Sequence, residues 1–431
     1  MLAAALLFAP GPSEADPPDP DSALAAFDAA WSVIHETHYD TTFGGVDWNA
    51  VREEFRPRVE VDPTPETARA AIDSMLTRLG RSHFLLLPSS VAESLSMDDA
   101  QDWDRSADPG IDVRFDGGEA VVVAVRAGSP AEGAGVRTGW TVRSVSGRPV
   151  SGVLETISSG LGRNRFELEA WLEVTALLAG PEDDPVTVAF GTAGAGDVSL
   201  DLDRERTPGR LVRYGNLPGF RTEFAHRAIR LPGGGGVGLI RFNNWMLPSS
   251  EGFDEAMDAH RAADGIVIDL RGNLGGAAAM LMGVGGHFFD EPVSLGTLLF
   301  RTTRLELKVN PRRVDTGGNR VVPYTGPVAV LVDELSVSAS EFFAGGMQAV
   351  GRARVFGRRS WGGVLAASFT RLPNGDVLEH AIADFETPAG DRLEGRGVRP
   401  DLEVPLSREA LLRGEDPVLD AALDWIEQET R

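Results

Sequence analysis

The chain has 431 residues, of which 42% are hydrophobic and 24% are charged, and its formal net charge is −23 at pH 7. This length exceeds what a single hydrophobic core supports, so two or three domains are expected. The negative charge argues against nucleic acid as a partner and against an anionic membrane surface. Because the sequence has no cysteine, disulfides, thiol catalysis and zinc–thiolate sites are excluded.

Residues 1–21 are interpreted as a signal-like or disordered N-terminus. An apolar run at 2–8 is similar to the hydrophobic region of a secretory signal, although no basic residue precedes it. A Pro- and Asp-rich segment follows at 16–21. This pattern favours an extracytoplasmic location, periplasmic or secreted, and leaves a cytoplasmic one open. No run of 18 apolar residues occurs in the rest of the sequence, so no membrane-spanning helix is expected.

A helical N-terminal domain is predicted for residues 22–98. Apolar side chains recur at helical spacing in three stretches, which predicts helices over 22–34, 48–59 and 64–79. A glycine ends the third helix, and the pair Ser82-His83 opens an extended apolar segment.

Short strands replace helices in residues 99–206. The sequence pattern predicts strands at 111–115, 120–125, 141–145 and 186–190. It also predicts a short helix with a glycine-punctuated turn at 129–140 and an amphipathic helix near 152–161. A small β-barrel with one or two helices fits this region.

An α/β pattern fills residues 207–431, so the chain as a whole is predicted to be an α/β multidomain protein. Strands are predicted at 237–242, 265–270, 328–332, 353–356 and 366–372. Helices are predicted at 250–262, at 339–350, and after the glycine-rich turn 271–276.

A serine at a strand-to-helix turn is the first candidate for chemistry. Ser338 is the middle one of three serines between an apolar strand and a helix, where free N–H groups and the helix dipole favour developing negative charge. The alternative interpretation is that the three serines only cap the helix. A serine nucleophile also needs a base.

Neither lysine nor histidine supplies an obvious base from local sequence. Lys308 is the only lysine, and it lies in the charged stretch 301–313, which is expected to be a solvated strand pair rather than a desolvated site. His35 and His38 share a helix face without a third metal ligand, so no metal site is predicted. His260 and His287 lie within or at the end of predicted helices and are interpreted as structural, and His83, where a helix gives way to an extended segment, is interpreted as an ordinary histidine on local sequence. His226 and His380 complete the seven histidines.

The glycine-rich turn 271–276 is a poor phosphate loop, because it lacks the lysine and spacing of a Walker motif and the pattern of a dinucleotide fingerprint. Exposed backbone N–H groups beside a second strand-to-helix turn would suit an oxyanion hole instead.

Taken together, these motifs resemble the tail-specific, or carboxyl-terminal processing, serine peptidases of the S41 group. The motifs are GIVIDLRGNLGG at 265–276, SVSASE at 336–341 and GVRPD at 397–401. The resemblance implies a ClpP/crotonase-like α/β core at 207–431, a PDZ-like domain at 99–206 and the helical domain at 22–98. It places the nucleophile at Ser338.

The base differs from that of the processing-protease branch, whose lysine position is occupied here by Gly363. The segment around Gly363 is similar to the tricorn-type branch, which uses a histidine from a Ser-His pair and a glutamate shortly before the Gly-Val-x-Pro-Asp motif. The matching residues are Ser82, His83 and Glu394. The resemblance therefore implies His83 as general base, with Ser82 and Glu394 orienting it.

The resemblance also implies binding groups around the nucleophile. The backbone N–H of Ala339 and one from Gly275 or Gly276 would hold the oxyanion. In the PDZ-like domain, Gly110, Ile111, Asp112 and Val113 match the loop that binds a peptide C-terminus. Asp112 would repel a carboxylate, so a lid or gating role is the alternative for this domain.

The expected partner is a peptide or an unfolded protein, with no cofactor and no metal, and oligomerisation is left open. A serine endopeptidase is the main hypothesis. A catalytically inactive protein that binds a peptide or an apolar ligand, or a PDZ-type scaffold, is the alternative.

Overall fold

The computed structural model describes residues 5–6, 23–89, 107–157, 163–194, 196–212 and 220–431. The signal-like segment 1–21 therefore lies outside the described residues, apart from the two-residue strand β1 (Ala5–Leu6). In the described ranges, no helix has the length and apolar character needed to cross a membrane.

Residues 23–89, the helical region, contain the three predicted helices. They are α1 (Ala23–Thr37), α2 (Trp48–Val61) and α3 (Pro65–Thr77), followed by strand β2 (Leu85–Leu87). The Asp47 and Thr64 side chains cap α2 and α3 by accepting N–H groups of the first turn. One apolar cluster from the three helices extends onto Leu372 and Leu378, so this region packs against the later part of the chain.

Residues 107–206, the insert, form an antiparallel sheet with its own apolar cluster. In chain order its elements are β3 (Ala107–Asp108), β4 (Ile111–Asp116), β5 (Glu119–Val125), α4 (Pro130–Gly133), β6 (Thr141–Val145), β7 (Arg148–Pro149), α5 (Val150–Thr156), α6 (Arg163–Leu178), β8 (Val186–Gly191), β9 (Asp197–Leu202) and β10 (Glu205–Arg206). The sheet order is β4-β5-β6-β8-β9, and β7 pairs with β6.

The longest described helix of the insert, α6, was not predicted from the sequence pattern. Its buried residues Ala170 and Val174 are four apart, which is helical spacing. The helix packs against β4.

The described residues from 210 onward form the α/β core. Its elements are β11 (Arg210–Val212), β12 (Phe220–Thr222), β13 (Phe224–Arg230), β14 (Gly236–Phe242), α7 (Leu247–His260), β15 (Gly265–Asp269), α8 (Met280–Gly285), β16 (Val293–Phe300), β17 (Arg304–Val309), β18 (Val328–Val332), α9 (Ala339–Ala349), β19 (Arg354–Gly357), β20 (Ala366–Arg371), β21 (Val377–Glu386), β22 (Leu402–Glu403), α10 (Arg408–Leu412) and α11 (Pro417–Glu429).

Two sheets organise the core. The first has the order β13-β14-β15-β18-β19-β22, and its strands run parallel from β14 onward. Every residue of β15 and β18 is buried, because apolar clusters cover both faces of this sheet. The second sheet has the order β1-β20-β21-β16-β17, and β2 of the helical region also pairs with β21. The predicted α/β class is confirmed.

A buried ion pair joins the insert to the core. Arg114 on β4 donates from Nε to Asp333 Oδ2 at 2.7 Å and from Nη1 to Asp112 Oδ1 at 2.7 Å. Asp333 directly follows β18, and its Oδ1 also accepts the N–H groups of Gly272 and Leu335. Arg114 and Asp333 are both almost fully buried.

The change Arg114→Ala is expected to lower the free energy of unfolding by about 3 kcal/mol, because it leaves the Asp333 carboxylate buried without its bonded cation. Urea unfolding followed by tryptophan fluorescence measures this loss. Arg413→Ala, which removes an exposed arginine paired with Glu409 and Glu415, should leave the unfolding midpoint unchanged. Equal midpoints for the two variants would contradict the importance of the buried pair.

Candidate active site

Ser338 occupies a strained turn between β18 and α9. Its backbone has φ +55° and ψ −114°, values that a residue with a side chain rarely adopts. Such strain at a strand-to-helix turn is characteristic of nucleophile turns in hydrolases. The residue is fully buried, and within the described part of the chain its Oγ forms no hydrogen bond.

The two flanking serines have structural bonds. Ser336 Oγ donates to the Leu270 carbonyl at 2.7 Å and accepts the Asp333 N–H at 3.0 Å. Ser340 Oγ donates to the Asn273 carbonyl at 3.0 Å and accepts from Trp245 Nε1 at 2.9 Å. The structure thus separates three serines that local sequence treats alike, because of the three only Ser338 keeps its hydroxyl unbonded.

Ser82, His83 and Glu394 form a connected chain of hydrogen bonds. Ser82 Oγ lies 2.8 Å from His83 Nδ1 and 2.9 Å from Glu394 Oε2, and the Ser82 N–H donates to Glu394 Oε1 at 2.9 Å. When the Ser82 hydroxyl donates to the carboxylate, its oxygen accepts Nδ1–H from the imidazole. This arrangement fixes the tautomer and leaves the basic lone pair on His83 Nε2.

Opposing effects act on the pKa of the Glu394 carboxyl. Burial raises the pKa of the Glu394 carboxyl, and the Ser82 and Val364 N–H groups and the Ser82 hydroxyl lower it. The net effect raises the pKa above the usual range.

The segment 360–364 lies between the serine turn and the histidine pair. The Ser338 N–H donates to the Gly363 carbonyl at 3.0 Å, and the next N–H along the segment, from Val364, donates to Glu394 Oε2 at 3.0 Å. The Trp361 ring meets the His83 ring edge-on, with 6.5 Å between centroids. Ser338, Ser82, His83 and Glu394 therefore lie around one loop, the segment 360–364. Among the described residues, no hydrogen bond joins Ser338 Oγ to a base.

The glycine-rich turn lies directly against Ser338. A Cβ built on Gly275 would come within 2.9 Å of Ser338 Cβ and 2.8 Å of the Val337 carbonyl oxygen, and the φ of Gly275 is +94°. Only glycine allows this approach.

The two candidate glycines differ in their N–H groups. The Gly275 N–H donates to Asn273 Oδ1 at 3.0 Å, so it is already used. The Trp245 N–H donates to the Gly275 carbonyl, and the Trp245 carbonyl accepts the Ala277 N–H. In this parallel bridge the N–H of the middle residue, Gly276, points away from Trp245. The Ala339 N–H is the first of α9, where the helix itself offers no acceptor.

An ion pair holds the other end of the same turn. Arg271 bonds to Asp269 at 2.8 Å and to Asp416 at 2.8 Å. Burial alone would raise the pKa of the Asp269 carboxyl, but the guanidinium groups of Arg271 and Arg241 lower it to about 2.

Because this pKa lies below that of an unfolded aspartate, Asp269 stabilises the fold above about pH 4, and the contribution is lost as the pH falls toward 2. Asp269→Asn is expected to lower the free energy of unfolding at pH 7 by about 2 kcal/mol and to flatten its fall between pH 4 and 2. Denaturant titrations across this range measure both effects. Glu251→Gln, on an exposed position of α7, is the control. If the free energy of unfolding falls equally steeply between pH 4 and 2 in the Asp269→Asn and wild-type proteins, the lowered pKa of Asp269 is contradicted.

The predicted tail-binding residues lie at the start of the insert. The Gly110 N–H donates to Asp108 Oδ1 at 2.6 Å, and Ile111–Val113 pair with β5. Asp112 accepts from Arg114 and, at 3.2 Å, from Trp171 Nε1 on α6. The Asp112 carboxylate is therefore bonded within the insert, and through Arg114 it is linked to the turn that precedes Ser338.

Lys308 is exposed on β17, as the solvated-strand interpretation predicts. The other histidines have structural partners: His287 lies 2.8 Å from Asp254, His260 lies 3.0 Å from His226, and His380 lies between Thr37 and Thr370.

Glu341 belongs to the SVSASE motif at 336–341, and the family resemblance assigns it no role. The spacing Ser-x-x-Glu from 338 to 341 is that of a capping box, which predicts a glutamate bonded to the backbone of the first residue. The structure contains that bond, from the Ser338 N–H to Glu341 Oε2 at 3.0 Å.

Comparison with known proteins gives matches along most of the chain. Residues 236–404 match peptidase family S41, and residues 20–75 match the tricorn protease C1 domain. The chloroplastic C-terminal processing peptidase of Tetradesmus obliquus is 26% identical over 398 residues, which are 87% of this chain and 76% of that protein. A putative tricorn protease homolog 2 of Streptomyces coelicolor is 26% identical over 417 residues, covering 92% of this chain and 32% of that protein.

A solved structure shows the same fold. The photosystem II D1 C-terminal processing protease superposes with a TM-score of 0.60 at 23% identity, covering 94% of this chain and 97% of the other. The fold and these relatives define a serine-type peptidase. The part of the chain at 236–404 is similar to peptidase family S41.

Proposed function

We propose that the protein is an endopeptidase that hydrolyses peptides or unfolded proteins through an acyl-enzyme, with Ser338 as nucleophile and His83 as general base. The observation that carries this proposal is the Ser82 hydroxyl bridging Glu394 and His83 Nδ1, at 2.9 and 2.8 Å. A bridge of this kind does for the imidazole what the aspartate does in a Ser-His-Asp triad. Gly363, at the lysine position of the processing-protease branch, cannot serve as base.

In the proposed reaction, His83 Nε2 takes the proton from Ser338 Oγ as the oxygen attacks the scissile carbonyl carbon. The imidazolium is stabilised through Ser82 by the Glu394 carboxylate. It returns the proton to the leaving amine as the C–N bond breaks. Water then attacks the acyl-enzyme, and His83 transfers a proton from that water to Ser338 Oγ as the acid product leaves. The Ser338–His83 hydrogen bond forms with substrate, since such bonds often tighten only in the complex.

The oxyanion would be held by the N–H groups of Ala339 and of Gly275 or Gly276. Gly276 is the better of the two glycines, because the Gly275 N–H already donates to Asn273. The N-terminal end of α9 adds a favourable dipole for the negative charge.

We extend the proposal to the domains: a helical domain at 22–98, a PDZ-like domain at 99–206 and a ClpP/crotonase-like catalytic core at 207–431. Ser338 and His83 then belong to different domains. Their relative position controls activity, because a misplacement of about 1 Å can cost on the order of a hundredfold in rate. The PDZ-like domain binds a peptide C-terminus at Gly110–Val113 or gates the site. An extracytoplasmic location completes the proposal and is tested by fractionation.

Labelling with a fluorophosphonate probe, combined with hydrolysis of an unfolded protein such as casein, tests the function. We expect the purified chain to be labelled at Ser338, identified by mass spectrometry, and to cleave casein without added metal. A chain that is folded but neither labelled nor active would rule out the peptidase mechanism.

A binding protein without catalytic activity is the second candidate, favoured by the absence of a hydrogen bond on Ser338 Oγ in the described structure. It predicts a folded, unlabelled chain that retains an apolar ligand or a peptide. A PDZ-type scaffold predicts a pull-down of partner tails that survives Ser338→Ala but not deletion of residues 99–206.

A further inference from the structure

Glu341 is a fully buried carboxylate that accepts hydrogen bonds at both of its oxygens. Oε2 accepts the N–H of Ser338 at 3.0 Å and the N–H of Gly363 at 3.0 Å. Oε1 accepts the hydroxyl of Ser360 at 2.5 Å and the N–H of Gly362 at 2.7 Å. One side chain on the first turn of α9 thus holds the nucleophile backbone and the segment 360–363 together.

The segment held by Glu341 is in turn bonded to the loop of Glu394. Gly395 N–H donates to the Gly362 carbonyl at 2.8 Å, and Val398 N–H donates to Ser360 Oγ at 2.6 Å. Val364 N–H donates directly to Glu394 Oε2 at 3.0 Å. A displacement of this segment would therefore move Glu394, and with it Ser82 and the imidazole, relative to Ser338.

Two glycines allow the segment 360–363 to lie in close backbone contact with the loop that follows Glu394. A Cβ on Gly362 would come within 2.9 Å of the Gly397 nitrogen, and a Cβ on Gly397 within 2.3 Å of the Ser360 carbonyl oxygen. The two loops are in close backbone contact, so a shift of one is transmitted to the other.

We propose that Glu341 is a positioning residue that sets the distance between the nucleophile Ser338 and the Glu394–Ser82–His83 chain. This inference rests on the proposed function and deepens it, because Glu341 touches no reacting atom and acts through the segment 360–364. The carboxylate is required because all four groups that bond to it are donors, and only an acceptor at both oxygens satisfies them. Burial raises the pKa of the Glu341 carboxyl, the bonds from Ser360, Gly362 and Ser338 lower it, and the net value is about 7.

Glu341→Gln is the direct test, because the amide keeps the shape but turns an NH2 group toward two donors. We expect the rate of fluorophosphonate labelling and kcat for a peptide substrate to fall about a hundredfold, with KM unchanged, since about 1 Å of misplacement has that effect. Glu167→Gln, at another buried glutamate, on α6, is the matched control and should label at the wild-type rate.

A double-mutant cycle separates positioning from general damage. If Glu341 acts through Glu394, the double variant Glu341→Gln/Glu394→Gln should be about as slow as Glu394→Gln alone, because the effects share one pathway. Multiplicative losses would overturn the proposal. If Glu341→Gln fails to fold by circular dichroism, Glu341→Asp, which keeps the charge but retracts it by one methylene, is used in the same cycle.

The outcomes distinguish this inference from the proposed function. Normal labelling of the folded Glu341→Gln protein, together with loss of labelling in His83→Ala, overturns the positioning role and leaves the peptidase mechanism intact. Failure of the wild-type protein to label overturns both.

Discussion

Ser338→Ala is expected to abolish fluorophosphonate labelling and to lower kcat by on the order of a millionfold, as loss of the nucleophile does in other serine peptidases. The thermal midpoint should stay the same or rise slightly. Ser338 Oγ is buried and has no hydrogen bond in the described structure, so its removal takes away an unsatisfied polar group. Calorimetry and peptide hydrolysis on the same preparation measure both quantities.

Ser340→Ala gives the matched comparison. This hydroxyl bonds to the Asn273 carbonyl and to Trp245 Nε1, so its loss should destabilise the protein by about 1–3 kcal/mol while labelling persists. The opposite pattern, with Ser340 essential for labelling and Ser338 dispensable, would show that the wrong serine has been assigned.

His83→Ala is expected to have a similarly large effect on catalysis, on the order of a millionfold in kcat, because nucleophile and base act as one unit. His83 has φ +59°, a conformation that asparagine tolerates better than alanine. His83→Asn therefore removes the base with less backbone strain and tests whether the loss is chemical. Combining either change with Ser338→Ala should produce little further loss.

His226→Gln is the control for the His83 variants, since His226 lies on β13 beside His260 and outside the Glu394–Ser82–His83 chain. Its rate should match the wild type. An active His83→Asn enzyme would show that another group accepts the serine proton.

The strand-turn-helix around Ser338 was predictable because its apolar run and the following helix lie within about 20 consecutive residues. Local sequence could not choose among Ser336, Ser338 and Ser340, since the choice depends on bonds to Leu270, Asn273 and Trp245. The family resemblance selected Ser338. In the structure the hydroxyls of Ser336 and Ser340 are hydrogen-bonded and that of Ser338 is not, which supports Ser338 as the proposed nucleophile.

Contacts between distant segments were beyond the reach of local patterns. Arg114 and Asp333 stand in different structural units, and nothing in either neighbourhood indicates a partner. The same holds for Ser82 and Glu394, whose pairing came only from the resemblance. The bond of Glu341 to the Ser338 backbone could have been predicted from the capping-box spacing. Its other donors could not, because they lie up to 22 positions away in the sequence.

The strand β2 has a consequence for motion. Leu85–Leu87 pairs with Val377–Glu379 of β21, so His83 lies two residues before a backbone ladder that belongs to a core sheet. Separating the helical region from the core would break main-chain hydrogen bonds as well as apolar contacts. The described contacts of the insert with the core include side chains such as Arg114, and none of the described strands of the insert joins a core sheet. The segment that carries the imidazole is therefore tied to a core sheet through main-chain hydrogen bonds, whereas the described link beside the serine turn is a side-chain ion pair.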